Sequence, residues 1–168
     1  TKWDSTDTGQ QRFVYTMNTD GSGLQRLTFP DDSVSCGTNR ERMCGIGTAY
    51  RARWGPEGER IAYTGSAGPE EFHVTVMDAD GSNKQIVAGS MDKPRWSPNG
   101  ERLLVRKREI HGIITGTYVI DVEGDESTCI ICTDGEPATF QNDTLSASTA
   151  QWGPTSDLLY LFSYPDDV

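Results

Sequence analysis

The sequence predicts an all-β repeat protein, and three observations support this fold class. A tryptophan-turn motif occurs three times, as ARWGPEGER at 52–60, PRWSPNGER at 94–102 and AQWGPTSDL at 150–158. A second motif occurs between these copies, as MNTDGSG at 17–23 and MDADGSN at 77–83. Short apolar runs separated by turns rich in Gly, Pro, Asp and Asn favour strands over helices. The fold must therefore be interpreted from the repeat unit.

Residues 51–90 are predicted to form one complete unit, a meander of four antiparallel strands. The first strand ends at Trp54, and Pro56 and Gly58 supply the backbone angles of the tight turn that follows. A hairpin joins the third and fourth strands, with Asp80 capping the turn and Gly81 able to adopt positive φ. The second, third and fourth strands are predicted at 60–64, 72–77 and 84–88.

Residues 91–132 repeat this pattern, with Trp96, Pro98 and Gly100 in the equivalent turn. Trp54 and Trp96 are 42 residues apart, about the length of one propeller blade. A lone meander cannot bury both faces, so the units must pack on each other, and radial packing into a β-propeller suits this period. Partial units are predicted at 1–28, with the Asp20-Gly21 hairpin, and at 149–168, with Trp152 and Pro154.

The prediction amounts to about three blades, whereas closed propellers have about four to eight. The chain alone is therefore not expected to close a ring. The remaining blades are expected from a longer chain, from other copies or from a partner.

The segments WSPNGERLL and VMDADGSN resemble the WD-like repeat of the TolB-type β-propeller family, and the resemblance covers most of the chain. It implies a six-bladed propeller, often periplasmic or otherwise extracytoplasmic, that usually serves as a protein-binding scaffold. Related propellers also gate peptidases and occur in polysaccharide lyases. Thr155-Ser156-Asp157 and the segment 121–126 depart from the family pattern, which affects the local turn geometry.

Two insertions lengthen the repeat, at 29–50 and at 133–148. Both fall between the fourth strand of one unit and the first strand of the next, and these connections lie on one face of a propeller. Long loops on one rim commonly carry binding function, so the recognition surface is predicted there, with mere decoration as the alternative.

Four cysteines form two close pairs. Cys36 and Cys44 bracket seven residues of the first insertion, where a local disulfide would stiffen the loop. Cys129 and Cys132 lie in a predicted strand, where residues three apart are about 10 Å apart. A disulfide between them requires the strand to end or bulge near Ile131, and a four-thiolate zinc site is the weaker alternative.

The net charge of −10, from 25 acidic and 15 basic residues, argues against a nucleic-acid partner. It favours solubility, or else a basic partner. No apolar stretch is long enough to span a bilayer, so no membrane insertion is expected. Asn142 begins a glycosylation sequon and is a candidate glycosylation site, although a single sequon is also expected by chance.

No catalytic residue, cofactor or metal is predicted. The Asp-rich hairpins lack the downstream glutamate of a calcium loop, and the common hydrolase and phosphate-loop motifs are missing. His73 is predicted to pack within a strand, and His111 lies in a loop beside the basic run 106–108. That run is expected to be a solvated edge, with an anion site as the alternative.

The predicted function is a non-catalytic propeller module for protein interaction or extracytoplasmic structural assembly, with a protein partner or self-association. One alternative is the accessory or gating propeller of a peptidase or polysaccharide-degrading enzyme. Another is a subunit of an extracellular filament or adhesin.

Overall fold

The computed structural model describes residues 2–6, 9–29, 33–35, 43–45, 48–68, 71–108, 114–123, 126–132, 138–140, 143–145, 150–161 and 163–165. The regular structure of these ranges consists of strands only, which confirms the predicted all-β class. None of them holds a helix that could cross a bilayer.

The first unit contains β1 (Lys2–Thr6), β2 (Gly9–Phe13), β3 (Tyr15–Thr16) and β4 (Gln25–Arg26). β1 pairs with β2, and β3 pairs with β4, both antiparallel. These strands, with the Asp20-Gly21 hairpin between β3 and β4, form unit 1.

Unit 2 is a complete meander of β7 (Thr48–Trp54), β8 (Arg60–Gly68), β9 (Glu71–Asp78) and β10 (Gln85–Gly89). Two strands of the first insertion, β5 (Ser33–Ser35) and β6 (Met43–Gly45), extend its sheet beyond β10. The innermost strand β7 begins inside the range predicted as insertion. Its apolar and aromatic residues Ala49 and Tyr50 pair with β8, a register that the irregular sequence before Trp54 did not reveal.

Unit 3 is the second complete meander, with β11 (Met91–Trp96), β12 (Arg102–Arg108), β13 (Ile114–Asp121) and β14 (Ser127–Cys132). Unit 4 supplies β17 (Gln151–Trp152) and β18 (Leu159–Tyr160), which pair antiparallel. Between units 3 and 4 lie β15 (Ala138–Phe140) and β16 (Asp143–Leu145), and with β19 (Ser163–Pro165) they form a separate three-stranded sheet.

The core consists of layers between successive units. Val14 and Leu27 of unit 1 pack with Ile61, Tyr63 and Met77 of unit 2. The next layer joins Val74 and Val76 to the Leu103 face of unit 3, and a third joins Leu104 and Val119 to Ala150 of unit 4. Because side chains alternate along each strand, one sheet contributes to two layers. This stacking is how blades that cannot fold alone bury their surfaces.

Candidate functional site

The tryptophan-turn motif joins each unit to the one before it. The indole N–H of Trp96 donates a hydrogen bond to the Arg53 carbonyl at 3.0 Å, and that of Trp152 donates to the Arg95 carbonyl at 2.9 Å. The acceptor is in each case the residue before the preceding tryptophan. The repeated tryptophans at these two positions therefore serve interblade packing, as predicted.

An arginine of the preceding turn covers each of these indoles. The guanidinium carbon of Arg60 lies 5.2 Å from the Trp96 ring centre, and Arg102 lies 5.6 Å from Trp152. These distances permit cation–π attraction. Arg60 also donates to the Gly100 carbonyl at 2.9 Å, so it binds both the ring and the turn of the next unit.

Trp54 carries the same motif in a different environment. Its side chain is 52% exposed, and within the described ranges its indole N–H has no acceptor. The segment that would cover it, equivalent to the Trp54 strand and turn, is not among the described residues of unit 1. Within the described ranges Trp54 thus makes neither of the two contacts that Trp96 and Trp152 make, and its packing role stays a prediction.

A groove of about 780 Å³ lies between units 2 and 3, at the face formed by the tight turns. The 55–60 turn and the 78–80 hairpin of unit 2 form one wall, and Trp96 and Gly100 lie opposite. In an antiparallel meander these turns share one face, and the connections that hold the two insertions leave from the opposite face. The groove and the predicted insertion rim are therefore on different faces.

The groove has a strongly acidic lining. Among the described lining residues Arg60 is the one that is basic, and it lies 3.6 Å from the Glu123 carboxylate in an ion pair. The hydroxyl and the amide of Ser82 both donate to Asp80, which lowers the pKa of Asp80 below its ordinary value. Asp80 is therefore an anion at neutral pH. The acidic lining residues are Glu57, Glu59, Asp78, Asp80 and Glu123.

The Asp-rich hairpins are capped turns, as predicted. Asp78 accepts a hydrogen bond from the Asn83 amide at 2.6 Å, and Gly81 has a φ of 89°. Asp20 repeats the contacts of Asp80, because the Ser22 hydroxyl and amide lower its pKa in the same way. Among the side chains that the structure describes, no group of three or more His, Cys, Asp or Glu could hold a metal.

A buried carboxylate on the innermost strand of unit 3 was missed by sequence reasoning. The Asp92 side chain is fully buried and accepts two hydrogen bonds from Arg106, at 3.0 and 3.1 Å, and one from Arg51 of unit 2, at 2.9 Å. The prediction that the run 106–108 is a solvated edge is wrong for Arg106, whose side chain is 11% exposed. β12 is an inner strand of its sheet, so this side of Arg106 faces the core.

Arg51 and Lys93 occupy equivalent bulges before their tryptophans, with φ angles of 57° and 54°. Burial, followed by repulsion from the Arg106 and Arg51 guanidiniums, lowers the pKa of Lys93. A basic residue, any residue, Arg and Trp follow each other in this order both at 51–54 and at 93–96. This repeated pattern was the sequence signal for the charged cluster around Asp92.

The Cys129–Cys132 pair forms a disulfide, with the two Cα atoms 6.0 Å apart. Tyr118 pairs with Cys129, and its neighbour Thr117 pairs with Ile131, so Ile130 is the extra residue of a bulge. A disulfide between these cysteines required a bulge near Ile131, and the bulge lies one residue before that position. A cysteine in a disulfide cannot act as a zinc thiolate.

The remaining predicted positions divide into two groups. His73 is buried, and its imidazole occupies the space beside Gly65, which agrees with the packing role. The other positions, Cys36, Asn142 and His111, lie outside the described residues, so the Cys36–Cys44 disulfide and the glycosylation site stay predictions.

Two solved structures share this fold. A candidate TolB from Agrobacterium tumefaciens matches with a TM-score of 0.60 and 19% identity, over 99% of this chain and 50% of that one. The β-propeller domain of the Trilobed protease from Pyrococcus furiosus, whose topology is open velcro, matches with a TM-score of 0.52 and 11% identity, over 84% of this chain and 41% of that one. No family model and no curated protein matches the chain. The likeness confirms the β-propeller fold, and the chain spans half or less of each structure.

Proposed function

We propose that this chain is a non-catalytic protein-interaction module that acts outside the cytoplasm. The observation that carries the proposal is the groove between units 2 and 3, whose volume of about 780 Å³ lies within the range of ligand-binding clefts. The described part of its lining holds five acidic side chains and one arginine, so the preferred partner segment bears lysine or arginine. The net charge of −10 adds a long-range attraction for such a partner.

The Cys129–Cys132 disulfide supports the extracytoplasmic part of the proposal. Disulfides persist in oxidising compartments and are rare in the cytosol. Alkylation of the protein isolated from its source, with and without prior reduction, tests this point. Thiols that react without a reductant at Cys129 and Cys132 would contradict it.

Peptide binding tests the role of the groove. We expect an octalysine peptide to bind the chain in low salt, and the double variant E57Q/E59Q to bind it about two- to thirtyfold more weakly, since each exposed charge contributes about 0.2–1 kcal/mol. The matched control E101Q/E126Q changes the net charge equally at exposed residues outside the groove lining. Equal affinities of the two variants would refute a groove-specific site.

A second candidate function is the accessory propeller of a larger protease. The fold it shares with the Trilobed protease domain supports this candidate, together with the 41% of that chain that it spans. The intact source protein should then degrade fluorescent casein, and the activity should co-purify with this chain. Homogeneous source protein without such activity would remove this candidate.

A further inference from the structure

Positive charge exceeds negative charge around Asp92, on the inner strands of units 2 and 3. The hydrogen bonds from Arg106 and Arg51 already occupy both oxygens of this carboxylate. Lys93, the next residue of β11, adds a further positive charge. Among the described residues named as acting on that charge, three are guanidiniums and Asp92 is the one carboxylate. The guanidiniums are those of Arg51, Arg95 and Arg106.

The backbone holds Lys93 beside this cluster in an unfavourable conformation. Its φ of 54° lies in the left-handed region, which side chains rarely adopt, and its backbone N–H donates to the Thr64 hydroxyl at 3.1 Å. The side chain is half-buried, and within the described ranges its ammonium has no hydrogen-bond acceptor and no ion-pair partner. An ammonium can donate three hydrogen bonds. Lys93 is therefore a strained cation that lacks a counter-charge of its own.

A small cavity adjoins this cluster, between the strands of unit 3 and the start of unit 4. Its volume of about 10 Å³ is close to the least that admits one water-sized body. Phosphate and carboxylate groups, which have several heavy atoms, are too large for it. Its described lining contains three basic residues, a buried threonine and no carboxylate. The described lining residues are Lys93, Arg95, Leu104, Val105, Arg106, Thr117 and Ala150.

Water and a single-atom anion compete for a cavity of this size. Ammonium and guanidinium groups only donate hydrogen bonds, and the hydroxyl of Thr117 can donate as well. Hydrogen bonds from charged donors are stronger than those between neutral groups, and they are strongest when the acceptor is itself an anion. The lining therefore favours an occupant that accepts and carries negative charge.

We propose that this cavity is a halide site, which holds one chloride ion among Lys93, Arg95 and Arg106. The ion offsets the excess positive charge on the inner side of unit 3. It also strengthens the junction with unit 4, where Arg95 already donates to the Ala150 carbonyl at 2.8 Å. The site shares no described residue with the acidic groove, so it is independent of the function proposed for that groove.

Line broadening in chloride NMR tests the binding of the ion. We expect the chain to broaden the chloride signal, and bromide to reverse the effect by competition. Lys93→Met keeps a long side chain without the charge, and it should bind chloride about tenfold to a hundredfold more weakly. Lys107→Met is the matched control, because Lys107 is a half-buried lysine of β12 outside the described lining. It should bind chloride as the unchanged chain does.

Thermal unfolding at constant ionic strength tests whether the ion stabilises the fold. Replacing gluconate with chloride at about ten times its Kd should raise the Tm by about 3–6 °C. The same rise is expected for Lys107→Met, and none for Lys93→Met. Lys93→Met should fold, because it removes a half-buried charge, and circular dichroism checks this. An equal response of all three proteins, or no response to chloride, would overturn the proposal and indicate that the cavity holds only water.

Discussion

Substitution of Asp92 by asparagine should strongly destabilise the chain. The Asp92 carboxylate is fully buried and holds Arg106, whose side chain is 11% exposed, together with Arg51 of the neighbouring unit. Asp92→Asn keeps the shape but leaves a largely buried guanidinium without its counter-charge. Breaking a buried ion pair from one side costs about 3–5 kcal/mol. Arg51 is 40% exposed, so water screens its share of the interaction.

Urea denaturation followed by tryptophan fluorescence measures the effect. The expected loss of about 3–5 kcal/mol corresponds to a fall in Tm of roughly 6–20 °C for a chain of this size. Arg106→Gln should destabilise similarly, and the double variant should be no worse than either single variant, because the remaining charge is also removed.

Asp157→Asn is the matched control, since it removes a carboxylate that is 89% exposed and pairs with Arg102 at 3.2 Å. We expect a change below about 1 kcal/mol there. If Asp92→Asn lowered the unfolding free energy no more than this control, the buried ion pair would not be a main contributor to the stability of the chain.

Three further predictions follow from the turns and the inner strand. Gly81→Ala should destabilise the chain by about 1–3 kcal/mol more than Gly21→Ala. Both glycines have positive φ, but only at Gly81 would an added Cβ meet the backbone of a neighbouring unit, at 3.1 Å from the Leu27 carbonyl oxygen. Lys93→Met should raise the free energy of unfolding at neutral pH, because the folded state lowers the pKa of Lys93. This gain should shrink as the pH rises towards 10.5, the ordinary pKa of lysine, where the lysine of the unfolded chain also loses its proton. Urea titrations at several pH values test this dependence. Ser82→Ala should raise the pKa of Asp80 towards its ordinary value, as measured by carboxyl NMR, and an unchanged midpoint would contradict the assigned cause.

The repeat made the fold predictable because blade length and turn chemistry are local properties. Trp96, Gly81 and the strands of units 2 and 3 recur at a fixed spacing, and each has a physical role that sequence alone reveals. The necessity of a bulge between Cys129 and Cys132 likewise follows from strand geometry.

The polar features between units were not predictable in the same way. Arg106 lies in a basic run that suits a solvated edge, and its burial depends on Asp92, which is distant in sequence and has an uncharged equivalent, Tyr50, in unit 2. The groove combines residues of two units, so its acidic lining emerges only when the units pack together. The outcome for Trp54 also depends on a neighbour rather than on its own motif.

Hydrogen exchange of the indole N–H groups, measured by NMR, tests the interlocking of units most directly. In dilute protein we expect slow exchange for Trp96 and Trp152, whose N–H groups are bonded to the preceding unit, and fast exchange for Trp54. Equal exchange of all three groups would contradict the account.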